Sequence, residues 1–129
     1  DILELAALFK PNDSILIPVL PSPIDIHATA HFIKKLLTIG KTRNKMIRLA
    51  VVANRVRKNT IMYHSLERFL LSLNIPFISS LRDTQLYTRA IEQGVGVQEI
   101  NSPKLEIDKA QWAPILRWLE APASNESLL

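Results

Sequence analysis

The stretch "LAVVANRVRKNT", residues 49–60, decides how the rest of the chain is read. Leu49 to Ala53 is an unbroken apolar run, followed at once by Asn54 and then by Arg55, Arg57 and Lys58. A continuous apolar run suits a strand covered on both faces, as in a parallel sheet; a half-solvated strand would alternate. Parallel α/β sheets bind ligands at the carboxyl ends of their strands. An amide and three cations at such an end put polar chemistry where a ligand would sit.

Two more runs of the same kind, Ile15–Leu20 and Pro76–Ser80, are read as strands beside Ile47–Ala53. Helical spacing fills the intervals. Ile26, Ala30, Ile33 and Leu37 recur at three- and four-residue steps within Ile24–Ile39, and Met62, Leu66, Phe69, Leu70 and Leu73 do so within Thr60–Leu73. A further helix is expected over Thr84–Gln93, closed by Gly94, and a last one over Ile107–Glu120, kinked or split by Pro114. The opening "DILELAALF" is also helix-like. Strands alternating with helices predict right-handed crossovers and an α/β fold, a parallel sheet with flanking helices. The fold is expected over residues 1–120, with 121–129, "APASNESLL", as a frayed tail.

Composition narrows the chemistry. The chain has 129 residues, 47% of them hydrophobic and 22% charged, which suits one globular domain. It has no cysteine, which excludes disulfides and thiolate metal sites. No apolar run reaches the roughly 18–20 residues of a membrane span. The net charge is +4, but nine basic residues fall between Lys34 and Lys58 with no Asp or Glu among them. They are Lys34, Lys35, Lys41, Arg43, Lys45, Arg48, Arg55, Arg57 and Lys58. Such a block favours an anionic partner, against the plainer reading of a solvated face.

Each candidate residue has an ordinary alternative. Asn54 can donate and accept at once, as an adenine edge requires, or it can satisfy loop backbone. In "VLPSPIDIHAT", Ser22 can cap a helix and Asp25 lies in its first turn, where the helix dipole favours an acid. Arg82 could reach a phosphate or pair with a carboxylate, and Asp83 is placed to cap the helix starting at Thr84. His27 and His31 share a helical face, but no third metal ligand is evident, so no metal site is read. Trp112 and Trp118 are read as core or interface anchors. The chain has three glycines and no Gly-rich phosphate loop, and no catalytic residue is named.

Taken in order, "DSILIPVLPSPIDIHATAHFIKKL", "RLAVVANRVRKNT" and "IPFISSLRDTQLYTRAIEQGVGVQEI" resemble the C-terminal half of ParA/MinD-type partition ATPases, which carry a deviant Walker A motif. Ile17–Asp25 matches the family's "IPVxPSPxD" stretch, Asn54–Arg55 its adenine-framing pair, Arg82–Asp83 its "RD" loop, and Ala90–Gly94 the helix end that follows. The resemblance covers about residues 1 to 120 and implies the C-terminal part of a P-loop NTPase-like Rossmannoid fold. It implies Asn54, Arg55, Arg82 and Asp83 near a nucleotide, with ATP and Mg2+ as cofactors of a longer parent protein. It further implies a homodimer that binds non-specific DNA, a ParB-like partner, and a cytoplasmic, nucleoid-associated location. Arg55, Arg57, Lys58, Lys41, Arg43 and Lys45 are the candidates for the DNA contacts, although the Lys41–Lys45 loop should emerge at the opposite end of the sheet. The family's Walker A lysines, switch I aspartate and Walker B segment have no counterpart in these residues, and Leu81 stands where many relatives have Pro.

The reading is a fragment of a ParA-like ATPase acting in plasmid or chromosome partitioning. Its rival is a degenerate, non-enzymatic α/β module that binds DNA or protein. A MinD-like membrane form would need a basic amphipathic C-terminal helix, for which "APASNESLL" has neither length nor charge. Without phosphate-cradling amides, adenine contacts alone hold ATP weakly. The 129-residue chain is expected to show no ATPase activity and at best roughly millimolar ATP affinity. Titration calorimetry checks this, and micromolar binding would contradict it.

Overall fold

The computed structural model describes residues 1–10, 13–43 and 47–121, with no side-chain description for 41–43. Its centre is a three-stranded parallel sheet: β1 (Ser14–Val19), β2 (Arg48–Val56) and β3 (Phe77–Arg82), in the spatial order β1-β2-β3. Helix α1 (Ile2–Leu8) precedes the sheet, α2 (Pro23–Arg43) joins β1 to β2, and α3 (Ile61–Ser72) joins β2 to β3. After β3 come α4 (Leu86–Glu92), two short 3-10 turns at Val97–Glu99 and Pro103–Leu105, and α5 (Glu106–Glu120).

The α/β class with a parallel sheet is as expected, and the differences lie at element ends. Helix α2 continues through Lys41 and Arg43, which the sequence reading had placed in a loop. Lys, Thr and Arg after Gly40 offer nothing that breaks a helix. Lys45 and the tail residues 122–129 lie outside the described residues. Strand β2 continues three residues past Ala53 to Val56, and α4 begins two residues after Thr84.

The starts of α2 and α3 have local causes. Ser22 Oγ accepts from the Asp25 amide at 3.3 Å, while Asp25 Oδ2 reaches back to the Leu20 amide at 2.6 Å. This reciprocal pair fixes the turn from β1 into α2. Thr60 caps α3 by accepting from the Tyr63 amide at 3.2 Å and donates its hydroxyl proton to the Arg57 carbonyl at 2.7 Å. Gly94, with φ of +69°, supplies the left-handed residue after α4 that its sequence position predicted.

The two sheet faces are unequal. On one, α2 and α3 pack over Ile17, Val19, Leu49, Val51, Ala53 and Val56 through Ile33, Leu36, Tyr63, Leu66 and Leu70. On the other, among the described residues α5 supplies most of the cover, with Ile115 and Trp112 packing on Val52, Leu81, Leu16 and Ile78. Trp112 also packs into a satellite cluster of Ala90, Val97 and Leu105, tying α4 and the 3-10 turns to the sheet. Pro114 sits inside α5 without ending it. It removes one amide from the helix ladder, and Ser79 Oγ of β3 donates to the neighbouring Gln111 carbonyl at 2.6 Å.

Pro18 of β1 is exposed, and among the described residues the outer edge of β1 pairs with no strand. An unpaired strand edge with a thinly covered apolar face templates association. The 129-residue chain is therefore expected to self-associate or unfold at low temperature. Light scattering with thermal unfolding checks this: a monodisperse monomer with a sharp, concentration-independent transition would show that the edge needs no partner.

Candidate functional site

Because the strands are parallel, their carboxyl ends share one rim of the sheet, and three segments meet there: residues 20–25, 54–60 and 82–85. The middle segment is shaped by a bulge. Register slips between Ala53 and Val56, where Ala53 pairs with Ser80 and Val56 with Arg82. Arg55 adopts a left-handed conformation with φ of +53°, the only positive φ outside glycine among the described residues. Asn54 Oδ1 accepts from the Arg55 amide at 3.1 Å and steadies that turn.

The bulge has a clear physical reason. Val51 and Ala53 face α2 and α3, so strict alternation would send Arg55 into that core. One extra residue restores the phase: Val56 enters the core at 3% exposure and the Arg55 side chain stays 70% exposed. A non-glycine residue in this conformation costs about 1–2 kcal/mol.

Asn54 and Arg55 line a groove of about 490 Å³. Its walls are Leu16, Pro18, Val52 and Leu81 of the sheet with Tyr87, Trp112 and Ile115. Trp112 Nε1 donates to Tyr87 Oη at 3.0 Å, which sets both rings, and burial pushes the Tyr87 hydroxyl pKa up. The lining is mostly apolar, as small-molecule grooves usually are. Asn54 and Arg55 are the polar members of this lining, an amide that can both donate and accept and a cation. Among the described residues no group of three or more His, Cys, Asp or Glu could hold a metal ion.

The other predicted residues go elsewhere. Arg82 makes a two-pronged bond to Asp108, Nε to Oδ1 at 2.9 Å and Nη2 to Oδ2 at 2.8 Å, and also donates to the Lys104 carbonyl at 3.0 Å. Asp108 is wholly buried, and its hydrogen bond raises the Arg82 pKa further. Of the two roles open to Arg82, carboxylate pairing is the one the structure shows. Arg82 and Lys58 line a separate small groove with Val56, Ser80, Ile107 and Gln111.

Asp83 does not cap α4. Its carboxylate faces Arg55 and Arg57 instead, and Thr84 Oγ1 accepts from the Leu86 amide. Of the six expected basic residues, Lys45 lies outside the described residues and the other five divide in two. Arg55, Arg57 and Lys58 lie at the carboxyl rim, while Lys41 and Arg43 occupy the end of α2 before the chain re-enters the sheet at Arg48.

Asp108 and the Tyr87–Trp112 pair were missed from sequence. A signal existed for Asp108: it occupies the helical face shared by Trp112 and Ile115, where an acid needs a partner.

The chain is 32% identical over 91 residues to the maintenance of carboxysome distribution protein A of Halothiobacillus neapolitanus. The match takes in 70% of this chain and 42% of that protein, so the chain spans less than half the length of the relative it matches. No family model and no solved structure matches. The similarity supports a relation to the ParA-like family, in line with the motif resemblance. No described helix is long and apolar enough to cross a membrane.

Removing one member of a buried ion pair costs about 3–5 kcal/mol, whereas replacing both members with apolar residues is often nearly neutral. Arg82→Leu is expected to destabilise by about that amount, and the Arg82→Leu/Asp108→Leu double variant to recover most of the loss. Urea unfolding of the single and double variants measures the difference.

Proposed function

We propose that this chain is the C-terminal part of a ParA-type ATPase that positions a large cargo, such as a plasmid, a chromosome or a protein body. ATP-dependent dimerisation and non-specific DNA binding would carry that role. The observation that supports this reading best is the rim itself. The paired Asn54–Arg55 lines an apolar slot, and Arg57 and Lys58 follow on the same edge. The similarity to a protein named for maintaining carboxysome distribution points the same way.

In this reading Asn54 would meet the edge of adenine with its amide, while Tyr87, Trp112 and Pro18 exclude water from the base. Mg-ATP would supply a phosphoanhydride whose breakage resets the dimer. The groups holding the triphosphate and Mg2+ would come from sequence beyond these 129 residues. The basic rim residues would contact DNA phosphates without reading bases, because cations alone carry no sequence information. Release would follow when a ParB-like partner stimulates hydrolysis, on a nucleoid-associated, cytoplasmic protein.

The length of the complete gene product separates this reading from a degenerate module. A P-loop upstream of Asp1 supports the ATPase, and a native start at Asp1 supports the module. The binding experiment uses the intact gene product and random-sequence duplex DNA. Each phosphate contact contributes about −0.9 to the slope of log affinity against log salt. Arg55→Ala, Arg57→Ala and Lys58→Ala together are expected to weaken binding to all sequences alike and to flatten that slope by about 2–3 units. Fluorescence anisotropy across a salt series reads both quantities, and an unchanged slope would return these residues to a plain solvated face.

A further inference from the structure

Asp83 stands in a place that the proposed DNA contacts leave unexplained. One carboxylate oxygen faces Arg55 Nε at 3.6 Å and the other faces Arg57 Nε at 3.2 Å. The acid is the anchored member of the trio. Its amide donates to the Val56 carbonyl at 3.0 Å, and its side chain is only 26% exposed. The two arginines reach in from solvent, 70% and 76% exposed. A fixed carboxylate between two guanidiniums occupies the position that a phosphate group would take.

We propose that Asp83 is a resident counter-ion which the phosphates of duplex DNA must displace from Arg55 and Arg57, and that it sets the affinity of this rim. The inference rests on the DNA-binding reading above and adds a regulatory residue to it. Exposed ion pairs are individually weak. Two of them hold the arginines against sparse anions yet yield to a duplex, which presents many phosphates in a row and releases condensed counterions as they are neutralised. Added salt also loosens the internal pairs, so the competitor blunts the salt dependence of DNA binding. The bulge is what makes the arrangement possible, because it turns Arg55 out of the core and toward the start of the Arg82–Gln85 segment.

The test uses the intact gene product with Asp83→Asn, and Asp83→Ser as a second variant should the first fail to fold. Glu92→Gln, at an exposed acid ending α4, matches the change in net charge. Relative to Glu92→Gln, Asp83→Asn is expected to tighten random-sequence duplex binding by about 3- to 20-fold at 0.1 M salt. Its salt slope should steepen by about 1–2 units, a signature of a polyelectrolyte that a lone phosphate would not give. The gain should vanish when Arg55 and Arg57 are both alanine. If Asp83→Asn behaves as Glu92→Gln while the arginine variants still weaken binding, the counter-ion proposal is overturned and the DNA-binding reading stands. If the arginine variants change nothing either, both fall together.

Discussion

A strand bonded along both edges and covered on both faces has no place for a loose charge, and the central strand β2 carries an arginine near each end. Much of the architecture answers that constraint. At the amino end Arg48 is 4% exposed, too deep to reach water. Its guanidinium lies 4.4 Å from the Trp118 ring centroid, donates to Ser14 Oγ at 3.1 Å and donates to the Trp118 carbonyl. That carbonyl belongs to the last turn of α5, where the helix dipole is negative and a cation is favoured. At the carboxyl end no such partner waits beneath Arg55, and the chain inserts a residue instead. One arginine is absorbed by packing and the other is expelled by geometry.

Buried polar contacts, that of Arg48 among them, also assign α5 its place. Arg48 holds its final turn, Arg82 holds Asp108 in its first, and Gln111 bridges to β3 between them by accepting from the Arg82 amide at 2.9 Å. The helix is thus pinned at three heights along the sheet by polar contacts, while Ile115 and Trp112 supply the apolar contact. A helix supplying most of the cover of a face needs such pins, because its apolar stripe is narrower than the sheet. The uncovered margin, from Leu16 to Pro18, becomes the wall of the candidate slot.

The order of elements was legible because buried parallel strands and amphipathic helices write different periods into the sequence. Ile15–Leu20, Ile47–Ala53 and Pro76–Ser80 each fall within three residues of an observed strand boundary. The end of β2 was not legible. "ANRV" looks like a strand stopping, since alternation gives no hint that an extra residue will re-phase Val56 into the core. The pairing of Arg82 was half legible: a carboxylate partner was one of two options, but Asp108 lies 26 residues away and only folding brings it near. The capping role of Asp83 failed for a similar reason, as its charge found two arginines across the rim before it found a helix amide. Asn54 was placed at a strand end from sequence, and the slot beside it required knowing that α5 crosses that face.

The strand order has a kinetic meaning. In many parallel sheets the first strand is central and must wait for distant partners. Here spatial order equals chain order, so each new strand docks on the one made just before it. Loop closures among these three strands stay short, which favours their rapid assembly. Helix α5, which follows all three strands, is also the one whose bonds reach back to the start of β2 and the end of β3. Sealing this face is therefore left until α5 has formed, and a chain lacking α5 would leave Val52 and Leu81 bare to chaperones.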